Sequence, residues 1–158
     1  MVLPLQGNLY RFAKSMLNNR EEAEDCVQEI LIKLWTKRES LTVINNLSAF
    51  SLQMTRNLCL DKLKSRRHFV NEIEDEVILS DVDLHRNIEL KDMLQKMNKI
   101  ILQLPEQQRT VLHLRNIEGL EMEEIAEITG MNIPHLRVIL SRARIAVREM
   151  YEKSYGHE

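Results

Sequence analysis

The stretch that most constrains this chain is LPEQQRTVLHLRNIEGLEMEEIAEITGMNIPHLRVILSRARIAVREMYE, from Leu104 to Glu152. Its apolar residues recur at intervals of three and four, and glycines fall where the recurrence breaks, which is the pattern of short helices joined by tight turns. Pro105 suits a first helical turn, where a missing N–H costs nothing, and Val111, Leu112, Leu114 and Ile117 give that helix an apolar side until Gly119 ends it. A second helix is predicted over Glu121–Thr129, with Met122, Ile125 and Ala126 facing inward. Gly130 then supplies the sharp turn, Asn132 is the N-cap, and a third helix buries Leu136, Ile139, Leu140, Ala143 and Val147. A small residue at Ala126 lets two helices approach closely, and the glycine four residues later lets the chain turn between them. This is a helix-turn-helix pattern.

The outer face of the third helix carries the chemistry. His135, Val138 and Arg142 recur at i, i+3 and i+7, so they point one way, as side chains entering a major groove do. Arg137, Ser141, Arg144 and Arg148 lie beside them, and between Ile133 and Lys153 arginine and lysine outnumber Glu149 and Glu152. A solvated basic face on an ordinary three-helix bundle has the same composition. The Ala/Gly/apolar spacing, combined with the switch to positive charge, favours DNA binding.

At 158 residues and 18.7 kDa the chain is one ordinary domain or two small ones. Hydrophobic content of 44% is enough for a core, while 4% aromatics, four Gly and three Pro argue for aliphatic helices with few turns. The expectation is an all-α protein of two small helical domains. A net charge of −2 hides strong local segregation and says little about partners. Cys26 and Cys59 form no metal-type pair and are too few for a disulfide framework, which fits a reducing cytoplasm. Met1–Leu9 has no basic start and is interrupted by Pro4 and Gly7, unlike a signal peptide, and no apolar run is long enough to span a membrane.

The first helix is predicted over Leu9–Leu17, where Leu9, Phe12, Ala13, Met16 and Leu17 share a stripe before Asn18 and Asn19 break it. The next, REEAEDCVQEILIKLW, starts acidic in keeping with the helix dipole and buries Ala23, Cys26, Val27, Ile30, Leu31 and Leu34. Its outer stripe is Asp25, Gln28, Glu29 and Ile32. By composition this is either a solvated face or a docking face with a polar rim and an apolar contact.

After a polar loop, Thr36–Asn46, a helix begins near Ser48, a possible cap. Ala49, Leu52, Cys59, Leu60 and Leu63 fall in one arc, and Phe50, Met54 and Leu58 form a second apolar stripe. Arg56, Lys62, Lys64, Arg66 and Arg67 oppose only Asp61, giving a basic end. A basic helix with an extra aromatic stripe suits phosphates and unstacked bases. From Phe69 to Asp92 the character reverses to strongly acidic without Gly or Pro, and this reads as an inter-domain linker. Glu72, Glu74, Asp75 and Glu76 in it have no predictable framework and read as a solvating tether rather than a metal site. A regular stripe then resumes with Leu90, Leu94, Met97, Ile101 and Leu104. Domains are expected at 1–68 and 93–158, joined by 69–92.

Three passages carry a family resemblance: AEDCVQEILIKLW (Ala23–Trp35), TRNLCLDKLKSRR (Thr55–Arg67) and the helix-turn-helix block. In that order the chain resembles the bacterial RNA polymerase sigma factors of the extracytoplasmic-function group, which hold only the second and fourth sigma domains. The resemblance implies that Asp25, Gln28, Glu29 and Ile32 dock on core RNA polymerase. It implies that Phe50, Arg56, Asn57, Lys62, Lys64, Arg66 and Arg67 engage flipped-out bases and the backbone of the minus-ten promoter element. It assigns His135, Arg137, Val138, Ser141, Arg142, Arg144 and Arg148 to promoter DNA at minus thirty-five, and it adds an anti-sigma factor as a partner. Phe50–Ser51 stands where many relatives have a Trp-Leu pair, and His135–Arg137 follow Pro134 where a Thr-Val-Lys step is common, so promoter sequence does not transfer.

No Ser/His/Asp set, zinc-type His/Cys spacing or glycine-rich phosphate loop is visible, and the five His are scattered. The chain is therefore expected to act without catalysis, cofactor, metal, small-molecule substrate or membrane insertion. The competing reading, a stand-alone helix-turn-helix transcriptional regulator, predicts a dimer on a palindromic site without polymerase.

Overall fold

The computed structural model describes residues 3–66 and 88–156, and all regular structure among them is helical. Three helices form a first layer: α1 (Leu3–Leu17), α2 (Arg20–Thr36) and α3 (Leu47–Arg66), with a short 3-10 turn at Ser40–Val43. The second part holds α4 (Ile88–Leu102), α5 (Glu106–Leu112), a π-helical turn at His113–Ile117, α6 (Met122–Thr129) and α7 (Ile133–Tyr155). Arg67 and the acidic cluster at Glu72–Glu76 lie outside the described residues. Helix α4 takes in residues 88–92 of the stretch read as a tether.

On α1 and α2 the apolar stripes fall where their spacing puts them, whereas on α4 Leu90 and Leu94 of the predicted stripe are exposed and Ile100 is buried instead. Leu9, Phe12, Ala13, Met16 and Leu17 of α1 are all buried, as are Ala23, Cys26, Val27, Ile30 and Leu34 of α2. Each large aliphatic or aromatic side chain so buried contributes roughly 1.5–3 kcal/mol of transfer free energy. In α3, Ala49, Leu52 and Cys59 are buried together with Ser51 and Thr55, whose hydroxyls donate to the carbonyls of Ser48 (2.9 Å) and Ser51 (2.8 Å) and so cost little inside the core. Leu31, Leu60 and Leu63 are only partly buried.

Two helix starts differ from the sequence reading. Helix α1 begins at Leu3, because Pro4 falls in its first turn and Gly7 is carried by the packed turns that follow. Helix α3 is capped by Asn46, whose Oδ1 accepts the Ala49 N–H at 3.0 Å, and Ser48 sits inside the first turn. Between α1 and α2 the chain turns through Asn18 in the left-handed region (φ 49°), and Asn19 caps α2 by accepting the Glu22 N–H at 3.0 Å.

In the second part Pro105 stands just before α5 rather than within its first turn. The π turn follows directly, with the Glu118 N–H bonded to the His113 carbonyl at 3.0 Å, and Gly119 (φ 69°) ends it. That wider turn brings residue i+5 back over residue i, so His113 and Glu118 come to the same side. Helix α6 starts with a capping box between Glu121 and Glu124 and ends at Gly130 (φ 74°). Helix α7 starts on Asn132, whose side chain accepts the His135 N–H at 2.9 Å, and buries Leu136, Ile139, Leu140 and Ala143. Ile128, absent from the predicted inward set of α6, is buried beside Ile125.

The two parts pack on each other through α1 against α5 and the π turn, and through α3 against α6. Phe12 stacks on the His113 ring with centroids 5.6 Å apart. Glu118 accepts from His113 Nε2 (3.1 Å) and from Arg11 Nε and Nη2 (3.2 Å each). Asn46 Nδ2 donates to Glu124 Oε2 at 3.1 Å.

Candidate nucleic-acid interface

Helix α7 presents its predicted reading face without obstruction. His135, Arg137, Val138, Ser141, Arg142, Arg144 and Arg148 are all exposed, while Leu136, Ile139, Leu140 and Ala143 between them form the core contact. Val138 is 46% exposed, an apolar patch among cations of the size that meets a thymine methyl. The face starts at the amino end of the helix, where free N–H groups and the helix dipole add positive potential. Arg144 is held to one side: its Nη2 donates to Asn116 Oδ1 at 3.1 Å, which ties α7 to the π turn.

Helix α2 carries the second surface. Asp25, Gln28, Glu29 and Ile32 lie exposed opposite the buried stripe, with Ile32 65% exposed and Glu29 in an i,i+4 pair with Lys33 at 3.3 Å. Sequence reasoning missed the end of this stripe. Trp35, three residues after Ile32 and seven after Gln28, is 63% exposed, with the Arg38 guanidinium 4.4 Å from its ring centroid. The spacing that selected Gln28 and Ile32 also selects Trp35. Two large apolar side chains beside Asp25 and Glu29 make a compact face with an acidic rim.

On α3 the predicted residues separate. Phe50, Asn57 and Lys64 are spaced by seven and share one stripe, with Asn57 and Lys64 exposed and Phe50 half-buried. Lys62 and Arg66 lie on another side, with Asp61 and Ser65, against Glu22 of α2. Arg66 pairs with Glu22 and donates Nη1 to the Leu17 carbonyl at 2.8 Å. Arg109 reaches the same helix end from α5, its Nη2 3.3 Å from the Met16 carbonyl. Two guanidinium groups thus satisfy the last carbonyls of α1, and no periodicity in the sequence announces that.

The amino-terminal half of the Phe50 stripe faces the second part of the molecule. A groove there is lined by Asn46, Phe50 and Gln53 on one wall and Glu123, Glu124 and Glu127 of α6 on the other. Carboxylates therefore sit opposite the aromatic ring assigned to unstacked bases. Among the described residues no group of three or more His, Cys, Asp or Glu is placed to hold a metal ion, and no helix is long and apolar enough to cross a membrane.

Two family models match the chain. Residues 1–69 match the model of Sigma-70 region 2, and residues 94–147 match that of Sigma-70, region 4. The chain is 26% identical over 160 residues to the ECF RNA polymerase sigma factor SigW of Bacillus subtilis, covering 91% of this chain and 83% of that protein. It is 28% identical over 161 residues to the RNA polymerase sigma-H factor of Pseudomonas aeruginosa, covering 93% and 82%. Among solved structures, the sigma factor RpoE of Bartonella quintana, in complex with the anti-sigma factor NepR, superimposes with a TM-score of 0.78 at 25% identity over 97% of this chain and 95% of that one.

A three-helix domain carrying the region 2 match, followed by a helix-turn-helix domain carrying the region 4 match, defines a sigma factor of the sigma-70 class. The chain belongs to the extracytoplasmic-function group of that class, the alternative sigma factors that bind core RNA polymerase and direct it to promoters. A stand-alone regulator would need only the second domain and leaves the first match unexplained.

Proposed function

We propose that three faces of the chain divide the work of promoter recognition. The α2 face of Asp25, Gln28, Glu29 and Ile32, extended by Trp35, docks on core polymerase. The α3 stripe of Phe50, Asn57 and Lys64, with positive charge contributed by Arg56, Lys62, Arg66 and Arg67, holds the minus-ten element as single strand. The α7 face of His135, Arg137, Val138, Ser141 and Arg142 reads the minus-thirty-five element as duplex, and Arg144 and Arg148 meet phosphates. The observation that carries this reading is the exposed Ile32–Trp35 patch beside Asp25 and Glu29, on a helix whose other side is fully committed to the core.

The groove between α3 and α6 supports a further step. With Glu123 and Glu127 across from Phe50 and Gln53, single-stranded DNA reaches Phe50 only when the two domains part. Free sigma therefore binds promoters weakly, and core enzyme selects the parted form. Once one contact is made, the tether raises the effective concentration of the others. The chain acts by binding alone, in the cytoplasm where polymerase works. An anti-sigma factor is a partner on this reading, in keeping with the complex formed by the Bartonella quintana sigma factor.

The test is transcription by purified core enzyme on a genomic DNA library, with start sites mapped with and without the protein. Starts that appear only with the protein and share two spaced elements are expected. Core-only starts in both reactions would overturn the reading.

A further inference from the structure

The chain has two cysteines in all, Cys26 and Cys59, and folding brings them together. Their sulfurs lie 3.7 Å apart between α2 and α3, 33 residues apart in sequence. Both are free thiols, and neither is exposed to solvent. A disulfide holds its sulfurs at about 2.05 Å, so closure asks for an approach of roughly 1.7 Å. Closure therefore needs rotation about the Cα–Cβ bonds and a small slide of the two packed helices. With no third cysteine in the chain, disulfide formation within one molecule has a single product.

We infer that Cys26 and Cys59 form a reversible oxidation site, a buried dithiol that a peroxide converts into a disulfide tying α2 to α3. The thiolate of one cysteine attacks a peroxide oxygen, the O–O bond breaks, and one water leaves after protonation, giving a sulfenic acid. The second sulfur then attacks the first, the S–O bond breaks, and a second water leaves. Two thiols and one hydrogen peroxide become one disulfide and two waters, and the two electrons from the sulfurs reduce the peroxide. A dithiol reductant returns the pair to thiols by exchange.

The surroundings give the two sulfurs different parts. The hydrogen bond from the Cys59 thiol holds the Cys26 thiol down against the burial that pushes it up, with help from Lys62 and Lys33. The same hydrogen bond and its own burial push Cys59 up. Cys26 is the attacking sulfur and Cys59 the resolving one.

The consequence for transcription rests on the functional reading above. Cys26 adjoins Asp25 of the docking face, and Cys59 lies two residues after Asn57 of the minus-ten stripe. A bond between them shifts the two helices against each other and so changes the spacing of the polymerase and DNA faces. The disulfide form drives transcription several-fold less well than the dithiol form.

The test uses the full-length protein, reduced, treated with millimolar hydrogen peroxide and freed of it before mixing with reduced core enzyme. Maleimide labelling and intact mass should show loss of both thiols with a mass decrease of two hydrogens in a monomer, reversed by dithiothreitol. Cys26→Ala and Cys59→Ala, each leaving one thiol, should form no intramolecular bond. Retained thiols, oxygen adducts without thiol loss, or a disulfide-linked dimer as the main product would overturn the site. Transcription from the oxidised wild type should fall and recover with dithiothreitol, while the double alanine variant ignores peroxide. A disulfide that forms without changing transcription would overturn the switch. A reduced protein that directs no transcription at all would refute the sigma reading and leave the thiol result standing.

Discussion

Arg11 of α1 forks onto Glu118, 107 residues further along the chain, with Nε and Nη2 each 3.2 Å from a carboxylate oxygen. The pair joins the two domains, and the acid is its buried member: the Glu118 side chain is 3% exposed against 50% for Arg11. His113, itself buried against Phe12, shares the Oε1 atom. One carboxylate therefore organises the polar contacts at this point of the seam.

Removing it leaves His113 buried without its partner and frees Arg11 from the second domain. Glu118→Ala should lower the free energy of unfolding by about 1–3 kcal/mol, the usual cost of orphaning a buried polar group. Urea unfolding of the variant beside Arg11→Ala measures it. Because Arg11 is half-exposed, its loss should cost less, and equal losses would move the weight from His113 to the ion pair.

The same carboxylate sets an acid limit. Burial pushes Glu118 up, but the hydrogen bonds from His113 and Arg11 outweigh it and leave the group below the ordinary glutamate value. A depressed folded value means the ionised form is favoured on folding. Its stabilisation is complete above the unfolded value of about 4.3 and is lost as pH falls through the lower folded one. Stability measured from pH 6 downward should fall less steeply in Glu118→Gln than in the wild type. Superimposable acid limbs would contradict the assignment.

On α2, Trp35→Ala should change folding stability by no more than about 0.5 kcal/mol, since the ring is largely exposed. Affinity for core polymerase should drop by about tenfold or more, and the Asp25→Lys, Glu29→Lys pair should drop it further with a changed salt dependence. Fluorescence anisotropy with labelled protein reads both. Unaltered binding in all of these variants would place the docking face elsewhere.

On α7, Arg142→Ala should cost about 1–3 kcal/mol on the specific minus-thirty-five duplex and relax the preference at one base pair. Arg148→Ala should weaken specific and random DNA alike and reduce the salt slope by about 1. Equal losses on both DNAs for Arg142→Ala would remove it from base reading.

Gly130 offers a backbone test free of packing effects. A Cβ added there meets nothing within 4 Å, but the residue stands at φ +74°. Gly130→Ala should cost about 1 kcal/mol from the left-handed conformation alone. A thermal midpoint equal to that of the wild type would show that the turn relaxes.

The parts of the fold written as periodicity were legible in the sequence. Leu136, Ile139 and Ala143 announce one side of α7 and thereby expose His135, Val138 and Arg142 on the other, and Gly119 and Gly130 mark the turns because their φ values demand glycine. Where two signals compete, periodicity gives way to context: Pro4 and Gly7 concealed the first turns of α1, and Asn46 rather than Ser48 caps α3. Charge alone said least about α3, where Arg66 is also engaged with Glu22 and the end of α1, a partnership set by packing between helices far apart in sequence. Trp35 was within reach of the same spacing argument that found Ile32. The contacts of Arg11 with Glu118 and of Phe12 with His113 were not, because no local pattern encodes which surfaces of two domains meet.

Asn46 bears on how that meeting ends. Its Oδ1 serves the first turn of α3 while its Nδ2 touches Glu124, and the other oxygen of Glu124 serves the Glu121 N–H at the start of α6. When water replaces the one bond between them, each side chain keeps the hold it has on its own backbone. At this point the seam unzips without fraying either helix, so the domains separate as intact bodies.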